Sequence, residues 1–114
     1  MSDCLFCRIA SGEIGGSPVY EDDELIAFND IQPQAPVHVL IIPKRHIASV
    51  ADLDADSSAL MGSLVQTANR IAQERGVAER GYRLVVNCNA EGGQTVYHLH
   101  LHLLGGRSMK WPPG

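Results

Sequence analysis

The residues best suited to chemistry lie in Val96-Tyr97-His98-Leu99-His100-Leu101-His102-Leu103-Leu104, which holds three of the chain's five histidines. In a strand, a period of two puts His98, His100 and His102 on one face and Leu99, Leu101 and Leu103 on the other. Same-face neighbours along a strand lie roughly 6.5 to 7 Å apart, near enough for adjacent imidazoles to act on one small group. A helix would scatter the rings, and the β-branched and aromatic lead-in disfavours one. A solvated edge strand also carries polar residues, but rings that take up protons near neutral pH repel one another along such a face. Acid–base, nucleophilic or metal chemistry explains the row better than a structural role.

An imidazole attacks phosphorus through an unprotonated nitrogen, and its other nitrogen must donate to a fixed acceptor that sets the tautomer. His100, with a neighbour on each side, is the candidate nucleophile. His98 and His102 are placed to hold phosphoryl oxygens, orient the ring and pass a proton to the leaving group. Just before them runs Asn87-Cys88-Asn89-Ala90-Glu91-Gly92-Gly93-Gln94-Thr95. Its glycines allow close backbone approach, its N–H groups can cradle an anion, and Asn87, Gln94 and Thr95 add neutral donors. Such a set stabilises developing charge without a metal.

These residues need a scaffold, and 114 residues make one domain, spanning 1–114. Cys4 to Ala10 reads as a short amphipathic helix stopped at Gly12. Val19-Tyr20 and Leu25 to Asn29 read as a hairpin across an acidic turn, and Val37 to Pro43 as a buried strand interrupted by His38. Asp54 to Arg75 is the one long helix, with Leu60, Met61, Leu64, Val65, Ala68, Ile71 and Ala72 as its apolar stripe. Asp54, Asp56 or Ser57 is its cap and Gly76 its stop. Tyr82 to Asn87 reads as a strand that pairs antiparallel, across a tight loop, with the histidine strand. The sum is an α+β domain: a mainly antiparallel sheet of about five strands with one long and one short helix.

The formal net charge is −4 and there is no basic run, which speaks against a nucleic-acid partner. No apolar stretch approaches the roughly 20 residues of a membrane helix. Met1-Ser2-Asp3-Cys4 lacks the parts of a signal peptide, so the expected setting is cytoplasmic, with the three cysteines reduced.

His98-Leu99-His100-Leu101-His102-Leu103-Leu104 resembles the His-x-His-x-His-x-x motif of the histidine-triad (HIT) superfamily. Asp30-Ile31-x-Pro33-Gln34-Ala35-Pro36-x-His38, Gly92-Gly93-Gln94-x-Val96-Tyr97-His98 and Trp111-Pro112-Pro113-Gly114 are similar to its Hint branch. The resemblance implies a HIT-like fold and a homodimer. It also implies hydrolysis of purine nucleoside 5′-phosphoramidates, through a nucleotidyl-histidine intermediate, to the nucleoside monophosphate and an amine. Related branches act on dinucleoside polyphosphates.

By matching position, His100 is implied as nucleophile, with His98 and His102 as its partners and His38 as a support from behind. Asp30 is implied to bind the ribose hydroxyls, and Asn87, Gly93, Gln94 and Thr95 the phosphate and leaving group. Phe6, Ile9, Ile14, Phe28 and Ile31 fall where the family builds its base pocket, and they read equally well as plain core. The Trp111 tail is implied to reach a partner's site. Some HIT proteins hold a structural zinc through a pattern like Cys4-x-x-Cys7 with His46 and His98. Others lack the cysteines, which implies that activity does not depend on the metal and that the chemistry needs no cofactor. From the residues alone, a zinc hydrolase using histidines of the triad and a nucleotide-binding module with little turnover remain alternatives.

Overall fold

The structure, a computed structural model, describes residues 3–114. Met1 and Ser2, at the start of the N-terminal stretch read above, lie outside the described residues. The chain runs as α1 (Leu5–Ala10), β1 (Tyr20–Glu21), β2 (Leu25–Asn29), β3 (Val37–Pro43), two 3₁₀ turns (Val50–Asp52 and Ala55–Ser57), α2 (Ser58–Glu74), β4 (Tyr82–Val85) and β5 (Leu101–Gly105). The strands form one five-stranded sheet in the order β1-β2-β3-β5-β4, antiparallel throughout. This is the α+β architecture the sequence predicts. Among the described residues, no helix is long and apolar enough to cross a membrane.

The sheet's two faces are dressed differently. Val39, Ile41, Leu101 and Leu103 point toward α2 and pack with its Leu64, Ala68, Ile71 and Ala72. Leu40 and Ile42 point the other way and pack with Ile26 and with Phe6 of α1. The histidine face is this second one. Burying aliphatic side chains on the α2 face supplies most of the driving force, at about 25 cal/mol per Å².

Three boundaries differ from the sequence reading. Only His102 of the three histidines lies on a strand, because β5 begins at Leu101, paired with Ile41. The ladder stops there because Pro43 has no N–H to continue it and the chain turns away at Lys44. Leu99 N–H instead donates to Ile47 O at 2.6 Å, in the connection after β3. The alternation survives: Leu99, Leu101 and Leu103 all enter the α2-side core. β4 ends at Val85, opposite His102, one residue short of the start of β5. The connection from β4 to β5 is thus all of 86–100, not a tight loop.

The long helix starts later than expected. A 3₁₀ turn, Ala55–Ser57, precedes it, with the Asp54 carboxylate accepting from Ser57 N–H and the Ser57 hydroxyl closing the box. Gly76, at φ 75°, lies just beyond the end of α2.

Candidate active site

The triad can be built from β3 outward. In the β3–β5 register Leu40 faces His102 and His38 faces Leu104, so His38 and His102 are diagonal neighbours on one face. Gln34 N–H donates to His38 Nδ1 at 3.0 Å, so Nδ1 holds a lone pair and the ring proton sits on Nε2. His38 Nε2–H in turn donates to His102 Nδ1 at 2.9 Å. The proton of His102 is then on Nε2, a buried atom with no hydrogen-bond partner among the described residues. A buried donor without a partner is costly and marks a place where something else is meant to accept.

His100 is fixed by another route. Its Nδ1–H donates to the backbone carbonyl of His98 at 2.8 Å, which leaves the lone pair on Nε2. The His100 and His102 ring centroids are 5.0 Å apart. Phe6 stands edge-on to His100 at 5.0 Å and to Phe28 at 5.4 Å. Both imidazoles therefore border an apolar cavity of about 690 Å³, whose lining includes Phe6, Ile9, Ile14, Phe28, Asp30, Ile31, Thr95, His100 and His102. Asp30 sits at its edge: Oδ1 accepts from Gln32 N–H at 2.9 Å, and Oδ2 lies 3.4 Å from His38 Nε2.

Burial sets the protonation of this group. It lowers the His38 pKa, against the pull of Asp30. It lowers His102 further, to about 4, with His100 and His38 adding to the effect and Asp30 opposing it. His102 is therefore a neutral donor at pH 7, not an imidazolium.

His98 does not border this cavity. Its ring is fully buried, and its Nε2–H donates to Pro43 O at 2.7 Å. Burial lowers its pKa, partly offset by that carbonyl. The lone pair on Nδ1 turns toward α1, where it lies 3.3 Å from Cys4 Sγ, 3.4 Å from Cys7 Sγ and 3.2 Å from His46 Nδ1. Cys7 Sγ is also 3.3 Å from His46 Nδ1. The predicted four-residue set thus converges on one point. A tetrahedral ion with bonds of roughly 2.0–2.3 Å spaces its ligands roughly 3.3–3.8 Å apart, so the donors fit a zinc-sized cation.

The Gly-rich loop is organised differently from the sequence reading. Gly93 N–H and Gln94 N–H donate to Ala90 O and Asn89 O, so these two amides close the turn and do not cradle an anion. The Gln94 side chain is buried and fully committed: Oε1 accepts from Asn89 N–H at 2.9 Å, and Nε2 donates to Ala48 O at 2.8 Å and Val96 O at 3.1 Å. Of the four loop residues singled out, Thr95 lines the cavity; Asn87, Gly93 and Gln94 are not part of its lining. Trp111 is 83% exposed and outside the chain's own cavity.

Sequence reasoning missed the Gln34 and Pro43 backbone groups that set the two tautomers, the bracing role of Gln94, and Leu5 and the Gly15–Pro18 bend in the cavity wall. A second cavity, about 580 Å³, lies between 76–83 and 106–109. Its lining includes Arg80, Arg83 and Arg107 but no imidazole, thiol or carboxylate, so it is not the site of this chemistry.

Comparison with known proteins bears on this arrangement. The family model for the HIT domain matches residues 11–109. The chain is 48% identical over 107 residues to the purine nucleoside phosphoramidase of Escherichia coli, covering 94% of this chain and 90% of that protein. It is 54% identical over 112 residues to an uncharacterized HIT-like protein of Synechococcus elongatus, covering 98% and 97%. Among solved structures, a HIT family hydrolase from Legionella pneumophila superposes with a TM-score of 0.96 at 57% identity, covering 98% of this chain and all of that one. A histidine triad protein from Clostridium difficile gives 0.93 at 43% identity, covering 96% of both chains.

Proposed function

The chain belongs to the HIT domain family, and on that premise we propose that it hydrolyses purine nucleoside 5′-phosphoramidates to the nucleoside monophosphate and an amine. One observation carries the reading. The Nε2 lone pair of His100 and the partnerless Nε2–H of His102 belong to adjacent rings bordering one nucleotide-sized cavity. A nucleophile and a hydrogen-bond donor side by side are what attack at a phosphoryl centre requires.

In this reading the base lies against Phe6, Ile9, Ile14, Phe28 and Ile31, and the ribose hydroxyls donate to Asp30 Oδ2. His102 Nε2–H holds a non-bridging phosphoryl oxygen, and the Thr95 hydroxyl adds a second contact. His100 Nε2 bonds to phosphorus as the P–N bond to the amine breaks. Water then attacks phosphorus, the bond to His100 breaks, and the monophosphate leaves. The departing amine takes a proton from solvent as the P–N bond breaks, and the water that attacks later returns one, so that in net one water is consumed. Because His102 stays neutral at pH 7, it donates without holding the anion as a salt pair.

Cys4, Cys7, His46 and His98 would hold a structural zinc, which cross-links α1 to the sheet and takes no part in the phosphoryl chemistry. The reading also takes the whole chain as a single HIT domain, in a cytoplasmic setting, and as a homodimer. For the homodimer, the support is the outer edge of β4, which no other strand among the described residues covers. Sedimentation at micromolar concentration tests it.

The activity is tested by incubating the protein with adenosine 5′-phosphoramidate and following release of the monophosphate. Turnover that disappears in His100→Gly is expected. Undiminished turnover in that variant overturns the reading, and turnover of a dinucleoside polyphosphate alone moves it to another branch of the family.

A further inference from the structure

We infer that Cys4 and Cys7 are positioning residues of the nucleotide cavity, acting through α1 and through His98. Nucleotide affinity would then depend on the cation their donor set holds. The inference rests on the nucleotide reading above and adds a control to it. The implied indifference of activity to the metal comes from HIT proteins without the cysteines, whereas this chain carries them in and at the cap of the helix that walls the cavity. The geometry links the metal-binding donors to the cavity wall.

α1 has only six residues, far too few to persist as a helix in water on its own. Its N-cap is the Cys4 sulfur, which accepts from Cys7 N–H at 3.3 Å. The two sulfurs bracket Phe6, and the same short helix presents Leu5, Phe6 and Ile9 to the cavity. What holds α1 down, besides the packing of Phe6 and its neighbours on Ile26, Leu40 and Ile42, is the convergence with His46 and His98. Without a cation, the cysteines meet the two rings through contacts of 3.3–3.4 Å, each joining one pair of atoms. With one, the four donors become a clasp on the helix.

His98 carries the second link. Its Nδ1 faces the sulfurs while its carbonyl oxygen accepts the proton that orients His100. The Nε2–H bond to Pro43 O holds the ring independently of the cation, so the nucleophile's tautomer survives its loss. Beyond the cation, the wall is held by the packing of Phe6 on Ile26, Leu40 and Ile42, which is less directional than a hydrogen bond. Loss of the cation should therefore raise KM more than it lowers kcat. A wall freed in this way covers less of the ligand's apolar surface, and a loss of about 1.4 kcal/mol there corresponds to about a tenfold weaker Kd.

The test uses the full chain loaded with Zn²⁺ and the same chain stripped by a chelator under reductant. Binding of adenosine monophosphate is measured by calorimetry, and amide exchange is followed at residues 5–10. About a tenfold weaker affinity with faster exchange at 5–10 in the stripped chain is the expected result. Cys4→Ser/Cys7→Ser should show the weaker affinity with or without Zn²⁺. Equal affinity and equal exchange in the loaded and stripped wild-type chain overturn the inference, whatever the variant does. If the monophosphate binds neither form, the nucleotide reading fails instead, and exchange at 5–10 alone decides whether the cysteines clasp the helix.

Discussion

Replacing Gln94 tests how the loop before the triad is held. Its carboxamide is 5% exposed and makes three hydrogen bonds, to Asn89 N–H, Ala48 O and Val96 O. Gln94→Ala removes all three and leaves a backbone amide and two carbonyls to find water. A net hydrogen bond contributes about 1 kcal/mol and an orphaned buried group costs about 1–3 kcal/mol, so a loss of about 3 kcal/mol is expected. Gln94→Glu sharpens the test. It replaces two N–H donors by an anionic oxygen aimed at two carbonyls, so the carboxyl should titrate above its unfolded value near 4.3. For a group whose folded pKa is raised, stability is fully present below the unfolded pKa and is lost as pH rises through the folded one. The Glu variant should therefore be destabilised at pH 7 and recover toward wild type near pH 4, measured against wild type at each pH. Urea denaturation reads both variants through the midpoint at constant slope. A Gln94→Ala shift below about 0.5 kcal/mol, or a Glu variant whose deficit is the same at both pH values, would show that the carboxamide does not brace the loop.

Two further outcomes concern the same loop and the triad. A Cβ on Gly92 would run into the Cys88 carbonyl oxygen, a backbone clash that no rotamer relieves. Gly92→Ala should thus open the turn at a cost of about 2 kcal/mol and reduce turnover; an unchanged melting temperature contradicts this. His102, with its folded pKa pushed down to about 4, refuses a proton that the unfolded chain accepts near 6.5. Stability should accordingly fall as pH drops from about 6.5 to about 4, by about 1–2 kcal/mol once partial exposure of the ring is allowed for. His102→Asn should flatten that part of the curve, and an identical pH dependence in wild type and variant contradicts the assignment.

Much of the site was legible because it depends on side-chain type and a period of two. The leucines of the triad segment enter one core and His100 and His102 border the other face, as alternation requires, even though only Leu101 onward is strand. Cys4-x-x-Cys7 and the two histidines were legible as ligand types, and the fold brings them together. What was not legible involves backbone atoms at a distance. Pro43 both ends the ladder that would have made His98 and His100 strand residues and supplies the carbonyl that sets the His98 tautomer. Gln94 looked like a donor awaiting a phosphate because its partners, the Ala48 and Val96 carbonyls and the Asn89 amide, have no side-chain signature. The loop amides likewise read as a cradle until the turn that consumes them was formed.

In the proposed reaction His100 Nε2 is the atom that bonds to phosphorus. Rapid mixing with adenosine 5′-phosphoramidate, acid quench-free capture and intact-mass analysis with peptide mapping test it most directly. A transient adduct of one adenylyl group on His100 is expected, absent in His100→Gly and formed no more slowly than the amine is released. Turnover with no adduct, or an adduct on any other residue, contradicts it.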